Sequence, residues 1–235
     1  KSGDEVITVS NTWISTAETI TQTGAKPVFI DIDSFYNIDI SRIEEKINKN
    51  TKAIIGVHLY GLPAKIKEIS ELCNKYGLKL IEDCAQSHLA EIDNKLVGTF
   101  GDLATFSFFP GKNLGAYGDA GAIITNNDEY ADYCRKYSNH GSLVKHQHVI
   151  EGVNSRMDGI QAAILSVKMK YIKGWTEKRI ENAKYYDSLF DSYEHIVTPS
   201  KYTNTKHVYH LYVIQCESRD ELKQYLEANG ISVAI

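Results

Sequence analysis

The sequence has 235 residues, with 26 lysines and arginines against 30 aspartates and glutamates and a formal net charge of -4. That length suits one large domain, or one domain plus part of a second. No polybasic run is present, so the electrostatic footprint that nucleic acid or an anionic membrane surface requires is missing, and neither is expected as a partner. Cys73, Cys84, Cys134 and Cys216 show no CxxC spacing and no metal-ligand rhythm with the eight histidines. Reduced thiols, a cytoplasmic location and no metal are therefore expected. There is no signal peptide, lipidation motif or long apolar run. The start on Lys1 and the stop within an apolar run at Ile235 read as those of a fragment.

In chain order, "DEVITVS" predicts a strand, "TWISTAETITQTG" a helix closed by Gly24, and "KPVFIDID" a second strand, together one βαβ unit. A helix follows over "ISRIEEKINK", then strand "TKAIIGVHL", helix "KIKEISELCNKYG" and strands "LKLIED", "ATFSFF" and "GAIITN". Strands alternating with amphipathic helices predict an α/β fold with a mostly parallel central sheet covered on both faces. A long helical stretch runs from "NSRMDGIQAAIL" to "KYYDSLF", followed by strand "HVYHLYVIQC" and helix "RDELKQYLEANG". The expected organisation is a large domain over residues 1–175 and the start of a smaller α+β domain over 176–235.

Ligands of open α/β sheets gather at the carboxyl ends of the strands. Asp83, Ser107 and Lys112 are polar residues that an apolar context delivers to that edge. Lys112 follows Pro110 and Gly111 and precedes Gly115, Gly118 and Gly121, so backbone can approach a flat or phosphorylated ligand closely. Partial desolvation of such a lysine lowers its pKa and suits it to Schiff-base chemistry. A P-loop is excluded, because Phe106 stands where its first glycine belongs and Asn113 follows the lysine. No G-x-G-x-x-G follows a strand, which leaves a nicotinamide site without support. Asp83 reads either as an N-cap or surface carboxylate, or as the partner of the protonated ring nitrogen of pyridoxal phosphate, with Gln86 reaching the phenolic oxygen of the ring.

Four segments, "GDEVITVSNTWISTAETI", "IEDCAQSH", "GDLATFSFFPGKNLGAYGDAGAI" and "NSRMDGIQAAIL", closely resemble the DegT/DnrJ/EryC1/StrS family of pyridoxal-phosphate-dependent nucleotide-sugar aminotransferases. The resemblance runs from about residue 3 to the end of the chain. It implies the type I aminotransferase fold and a homodimer with active sites at the subunit interface. Lys112 would carry pyridoxal 5'-phosphate, Asp83 would pair with the pyridine nitrogen, Gln86 would contact the ring hydroxyl and Ser107 would bind the phosphate. Trp13 matches the aromatic residue that stacks on the ring; a core tryptophan is the other reading. Asn154 matches the asparagine that reaches the phosphate of the neighbouring subunit, and otherwise reads as a turn residue. Arg156 has two readings, a ligand for a nucleotide phosphate or donor carboxylate, and a structural ion pair.

By the same resemblance, the family's N-terminal Gly-Thr phosphate turn and a histidine-containing segment after "GISVAI" lie outside this sequence. The implied reaction is transfer of an amino group from glutamate to a keto group of a nucleotide-linked deoxysugar, C3 favoured over C4 by the wording of the lysine and "NSRMD" segments. The alternatives are a pyridoxal-phosphate-dependent sugar dehydratase, which the lysine argues against, and a non-catalytic nucleotide-sugar-binding protein.

Overall fold

The structure, a computed structural model, describes residues 1–235. The βαβ unit read from the N-terminal segment is β1 (Glu5–Val9), α1 (Ser15–Gln22) and β2 (Lys26–Ile30). Then come β3 (Thr51–Val57), α2 (Ile66–Tyr76), β4 (Lys79–Asp83), the short β5 (Glu91–Ile92) and β6 (Lys95–Leu96), β7 (Leu103–Ser107) and β8 (Gly121–Ile124). The remaining elements are α3 (Asp128–Tyr137), α4 (Gly159–Lys168), α5 (Ile172–Phe190), β9 (Ile196–Val197), β10 (Thr205–Lys206), β11 (Gln215–Cys216) and α6 (Arg219–Ala228).

The central sheet has six strands in the order β2-β1-β3-β4-β7-β8. All neighbours pair in parallel except β7 and β8. β3 is buried along nearly its whole length, as expected of a strand covered on both faces. Ile66, Ile69 and Cys73 recur on one face of α2 and pack with Ile54, Leu80 and Ile7 in the main core. Gly77, left-handed at φ 65°, ends α2 and lets the Leu78 N–H reach the Cys73 carbonyl at 2.8 Å.

Three expected elements are corrected. The helix over "ISRIEEKINK" is two short 3₁₀ turns, Ile40–Arg42 and Glu44–Lys46. Asp39 caps the first by accepting the Ser41 N–H, and burial of Ile43 bends the chain inward after it. The long helical stretch is two helices, α4 and α5. Its join is tightened by N–H bonds from Lys170 to Val167 and from Tyr171 to Lys168, which brings Leu165 and Ile172 into one small core with Leu114 and Ala116. The strand over "HVYHLYVIQC" forms only at its end, as β11. His207, Val208 and Tyr209 are consecutive and all buried, and Tyr209 has φ 45°, so this segment lacks the alternation of a strand. It lies instead against the turn after β3, the Val208 N–H bonding the Gly61 carbonyl at 3.0 Å. The β5–β6 hairpin and α3 were not anticipated. The hairpin signal was Asp93-Asn94, both at positive φ, a pair suited to a tight two-residue turn.

Behind the end of β4 lies a buried charge. Glu82 has no solvent exposure, yet its Oε2 accepts from His58 Nε2 (3.1 Å) and the Gly98 N–H (2.7 Å), and its Oε1 from the Phe100 and Gly101 N–H groups (both 2.7 Å). His58 Nδ1 accepts the Ala64 N–H at 3.0 Å, which leaves the ring proton on Nε2, facing Glu82. Burial opposes ionisation of Glu82, but His58 and the backbone donors outweigh it and hold the carboxyl below its ordinary range. His58, Glu82 and Cys84 have ligand atoms within 4.8 Å of one another, but the glutamate and histidine atoms are already engaged in these bonds. The cluster is thus a hydrogen-bonded clamp.

Glu82→Gln would turn an amide NH₂ toward N–H donors while removing the charge they are arranged to hold. A stability loss of about 3 kcal/mol is expected in urea unfolding, the scale for breaking a buried ion pair or network. A change below about 0.5 kcal/mol would refute the clamp.

Candidate active site

Side chains alternate along β4, so while Glu82 points into the clamp Asp83 points to the opposite face. There Thr16 of α1, itself buried, donates to Asp83 Oδ2 at 3.2 Å, and the Ala85 N–H donates to Oδ1 at 3.0 Å. Thr12 and Thr16 hydroxyls are 3.0 Å apart. Because Thr16 gives its proton to Asp83, Thr12 is the donor in that pair. The half-buried carboxylate is therefore held from two sides.

Lys112 lies in the loop between β7 and β8. Its N–H bonds the Phe109 carbonyl at 2.8 Å, and the Ala116 N–H bonds the Phe108 carbonyl at 2.7 Å, folding the loop onto itself. Gly115 is required for that closure, since a Cβ there would lie 2.3 Å from the Pro110 carbonyl oxygen. Burial lowers the Lys112 pKa, and the charge of Asp83 opposes the shift only in part. The result is a half-buried amine that loses its proton more readily than a surface lysine.

Two histidines within electrostatic reach of Lys112 complete the setting. His88 lies beside the rings of Phe106 and Phe108, at 5.4 and 5.7 Å between centroids. Burial, then the charge of Lys112, lowers its pKa to about 4. His210 Nδ1 is 3.0 Å from Asn113 Oδ1, and burial followed by Lys112, Arg179 and His88 lowers its pKa to about 4. Both rings are neutral at pH 7, so neither adds positive charge around the lysine.

Gln86 reaches the turn after β3, its Oε1 accepting the Tyr60 N–H at 2.6 Å. Ser107 ends β7, and its Oγ accepts the Phe109 N–H at 3.3 Å, leaving the hydroxyl proton to donate elsewhere. Asp83, Gln86, Ser107 and Lys112 thus gather at the carboxyl edge of β4 and β7. Trp13 precedes α1 and is 72 % exposed in the single chain, which does not support the core-tryptophan reading. Asn154 is apart from this group. It forms a bridge with Asn139 between α3 and α4, is exposed, and its Oδ1 accepts from Arg156 Nε at 3.0 Å; Arg156 also donates to Asn139 at 3.1 Å. Thr16, Tyr60, His88 and His210 were not singled out by sequence reasoning. His88 alone carried a local signal, standing five residues after Asp83 in the same small-residue turn.

A mostly parallel sheet with a desolvated lysine and a fixed carboxylate at its carboxyl edge is the architecture of the pyridoxal-phosphate-dependent aminotransferases. The chain belongs to the DegT/DnrJ/EryC1/StrS aminotransferase family, whose model matches residues 1–235. It is 47 % identical, over 99 % of its length, to a pleiotropic regulatory protein of Geobacillus stearothermophilus, and 45 % identical, again over 99 %, to dTDP-3-amino-3,6-dideoxy-alpha-D-galactopyranose transaminase of Aneurinibacillus thermoaerophilus. It spans 63 % and 64 % of the lengths of these relatives. Among solved structures it resembles S. venezuelae DesV, determined with a ketimine intermediate, with TM-score 0.96 and 38 % identity over 98 % of this chain and 62 % of that one.

The buried neutral histidines make a pH prediction. His88, His207 and His210 have pKa values lowered from 6.5 to about 4, about 3 and about 4, chiefly by burial. The unfolded chain binds protons at these sites first, so stability is full above pH 6.5 and falls as pH drops toward 4. At pH 5 the loss is on the order of 2 kcal/mol for each fully buried ring. Replacing His207 by Asn should flatten the fall measured by urea unfolding between pH 7 and 5; an unchanged slope would refute the assignment.

Proposed function

We propose that the protein is a pyridoxal-phosphate-dependent aminotransferase that moves an amino group from glutamate to a keto group of a nucleotide-linked deoxysugar, with C3 favoured over C4. The observation that carries this reading is the half-buried Lys112 amine, its pKa lowered by burial, within electrostatic reach of the fixed Asp83 carboxylate. The donor set fits pyridoxal phosphate: an amine for its aldehyde, an oriented carboxylate for its ring nitrogen, an amide for its phenolic oxygen and a free hydroxyl proton at Ser107 for its phosphate. The name of the Aneurinibacillus relative supports a 3-amino sugar product. That no helix is long and apolar enough to cross a membrane accords with the cytoplasmic location proposed here.

When bound, pyridoxal phosphate supplies an electrophilic carbon and a ring that accepts electrons. Lys112 would hold it through Nζ and, as a free amine, would take the proton from the α-carbon of the donor. Asp83, kept in place by Thr16 and Ala85, would hold a proton on the ring nitrogen. Neutral His88 and His210 leave Lys112 free to cycle between charged and uncharged forms. Trp13 would stack on the ring.

The active unit is a homodimer in which Asn154 of one subunit approaches the phosphate held by Ser107 of the other. The exposed apolar side chains of Trp13, Phe109, Tyr117 and Ile160 support such an association. The large domain is placed over residues 1–175 and the start of the small one over 176–235, with α5 continuous across that boundary; the separate two-stranded β9–β11 sheet followed by α6 supports the second unit, although β10 pairs with β5 of the first. A non-catalytic regulatory role is the second reading, favoured by the name of the Geobacillus relative; turnover of a ketosugar would exclude it.

Borohydride reduction should lock the cofactor onto Lys112, as mapped by peptide mass; attachment to another lysine would overturn the assignment. Lys112→Ala should lose about 10²–10⁴-fold in turnover, the range for a general acid–base group. Asp83→Asn should keep the cofactor but lose most activity, and near-normal turnover would sink its role. Mixing Lys112→Ala with an impaired Asn154→Ala protein should restore activity once tagged subunits show exchange. Activity at the parental level after exchange would confine Asn154 to its own subunit.

A further inference from the structure

The turn after β3 is strained where it meets Gln86. Tyr60 has φ 58° and ψ 2°, a left-handed conformation that non-glycine residues adopt at a cost. Gly61 follows at φ 97°, and a Cβ there would lie 2.9 Å from the His210 nitrogen and 3.1 Å from the Gln86 carbonyl oxygen. The turn is fastened on both sides. The Leu59 N–H bonds Asn37 Oδ1 at 3.1 Å, and Asn37, almost fully buried, donates to the Leu62 and Pro63 carbonyls. From the returning segment, the Val208 N–H bonds the Gly61 carbonyl (3.0 Å) and the Leu211 N–H bonds the Tyr60 carbonyl (3.3 Å). With the turn held this way, the Tyr60 N–H meets Gln86 Oε1 at 2.6 Å.

A backbone N–H can only donate, so the side-chain atom of Gln86 facing it must be the oxygen. The amide nitrogen, with its two hydrogens, is then the end left for a ligand. We infer that Tyr60 is a positioning residue: its left-handed turn, clamped by residues 208–211, fixes the Gln86 amide so that the site offers donors, and no acceptor, to one ligand oxygen. The ligand atom there must be an acceptor, best an oxyanion. This rests on the pyridoxal phosphate reading, in which the atom is the ring's phenolic oxygen. A donor on that oxygen stabilises its negative charge when the neighbouring lysine–cofactor linkage loses its proton, and so lowers the pKa of the linkage.

The test is the pH dependence of the bound cofactor's absorbance, read in the purified protein and in variants checked for folding by circular dichroism. Gln86→Glu keeps an oxygen for the Tyr60 N–H but turns an acceptor toward the ligand; it should raise the linkage pKa by about one unit or more and weaken pyridoxal phosphate binding. Tyr60→Val, β-branched and ill-suited to the left-handed region, should release Gln86 and raise the pKa in the same direction. Tyr60→Gly, which keeps the N–H and tolerates the turn, should leave it near the wild-type value. In a Gln86→Leu background Tyr60→Val should cause no further shift, whereas a general structural role would shift both backgrounds alike. An unshifted pKa in Gln86→Glu, or equal shifts from Tyr60→Val in both backgrounds, overturns the inference while the cofactor reading stands. Wild-type protein that shows no cofactor absorbance and no borohydride adduct overturns both.

Discussion

A glutamate carboxylate with no contact with solvent, saturated by four donors, is the constraint on which the arrangement of the site depends. Burying a charge costs free energy unless every lone pair is met. At Glu82 they are met by an imidazole from the end of β3 and three backbone N–H groups from the loop before β7. The strand that ends in Asp83 is thereby pinned to the strands on either side. Because consecutive residues face opposite ways, the clamp holds the backbone of Asp83 without approaching its carboxylate.

The electrostatics of the pocket follow from depth more than from paired charges. Lys112, His88 and His210 all shift toward their uncharged forms chiefly because they are removed from water, and the charge of Lys112 adds to the shift of the two histidines. Asp83 is the opposing charge, and the hydrogen bonds it accepts from Thr16 and Ala85 keep it within electrostatic reach of Lys112. The aromatic rings of Phe106 and Phe108, on either side of Ser107, exclude water from His88.

Much of this was legible in the sequence. The alternating apolar runs of β1, β3 and β4 and the i, i+3, i+7 spacing in α2 specify a covered parallel sheet. Asp83, Ser107 and Lys112 could be read as one edge because each terminates or follows such a run. What escaped depends on contacts distant in the chain. Thr16 looks like an ordinary helix residue until β4 is placed beside α1. Glu82 looks like a surface glutamate until the loop at residues 98–101 turns its N–H groups inward. The segment from His207 to Leu211 has strand-forming composition, but burial of three consecutive side chains against the turn after β3 overrides that propensity.

The returning segment also bears on the order in which the molecule can acquire its site. Val208 and Leu211 bond a turn that lies roughly 150 positions earlier in the chain, so the parts of the pocket are among the most non-local contacts of the fold. Contacts of that kind require a large loop to close before they contribute stability, and they form slowly compared with helices and adjacent strands. During synthesis the sheet, Lys112 and Asp83 emerge well before the segment that fastens Tyr60. A nascent chain can therefore expose the Lys112 amine before the surroundings of Gln86 exist, and completion of this end of the sheet becomes a late event of maturation, coupled to the docking of this short strip of backbone.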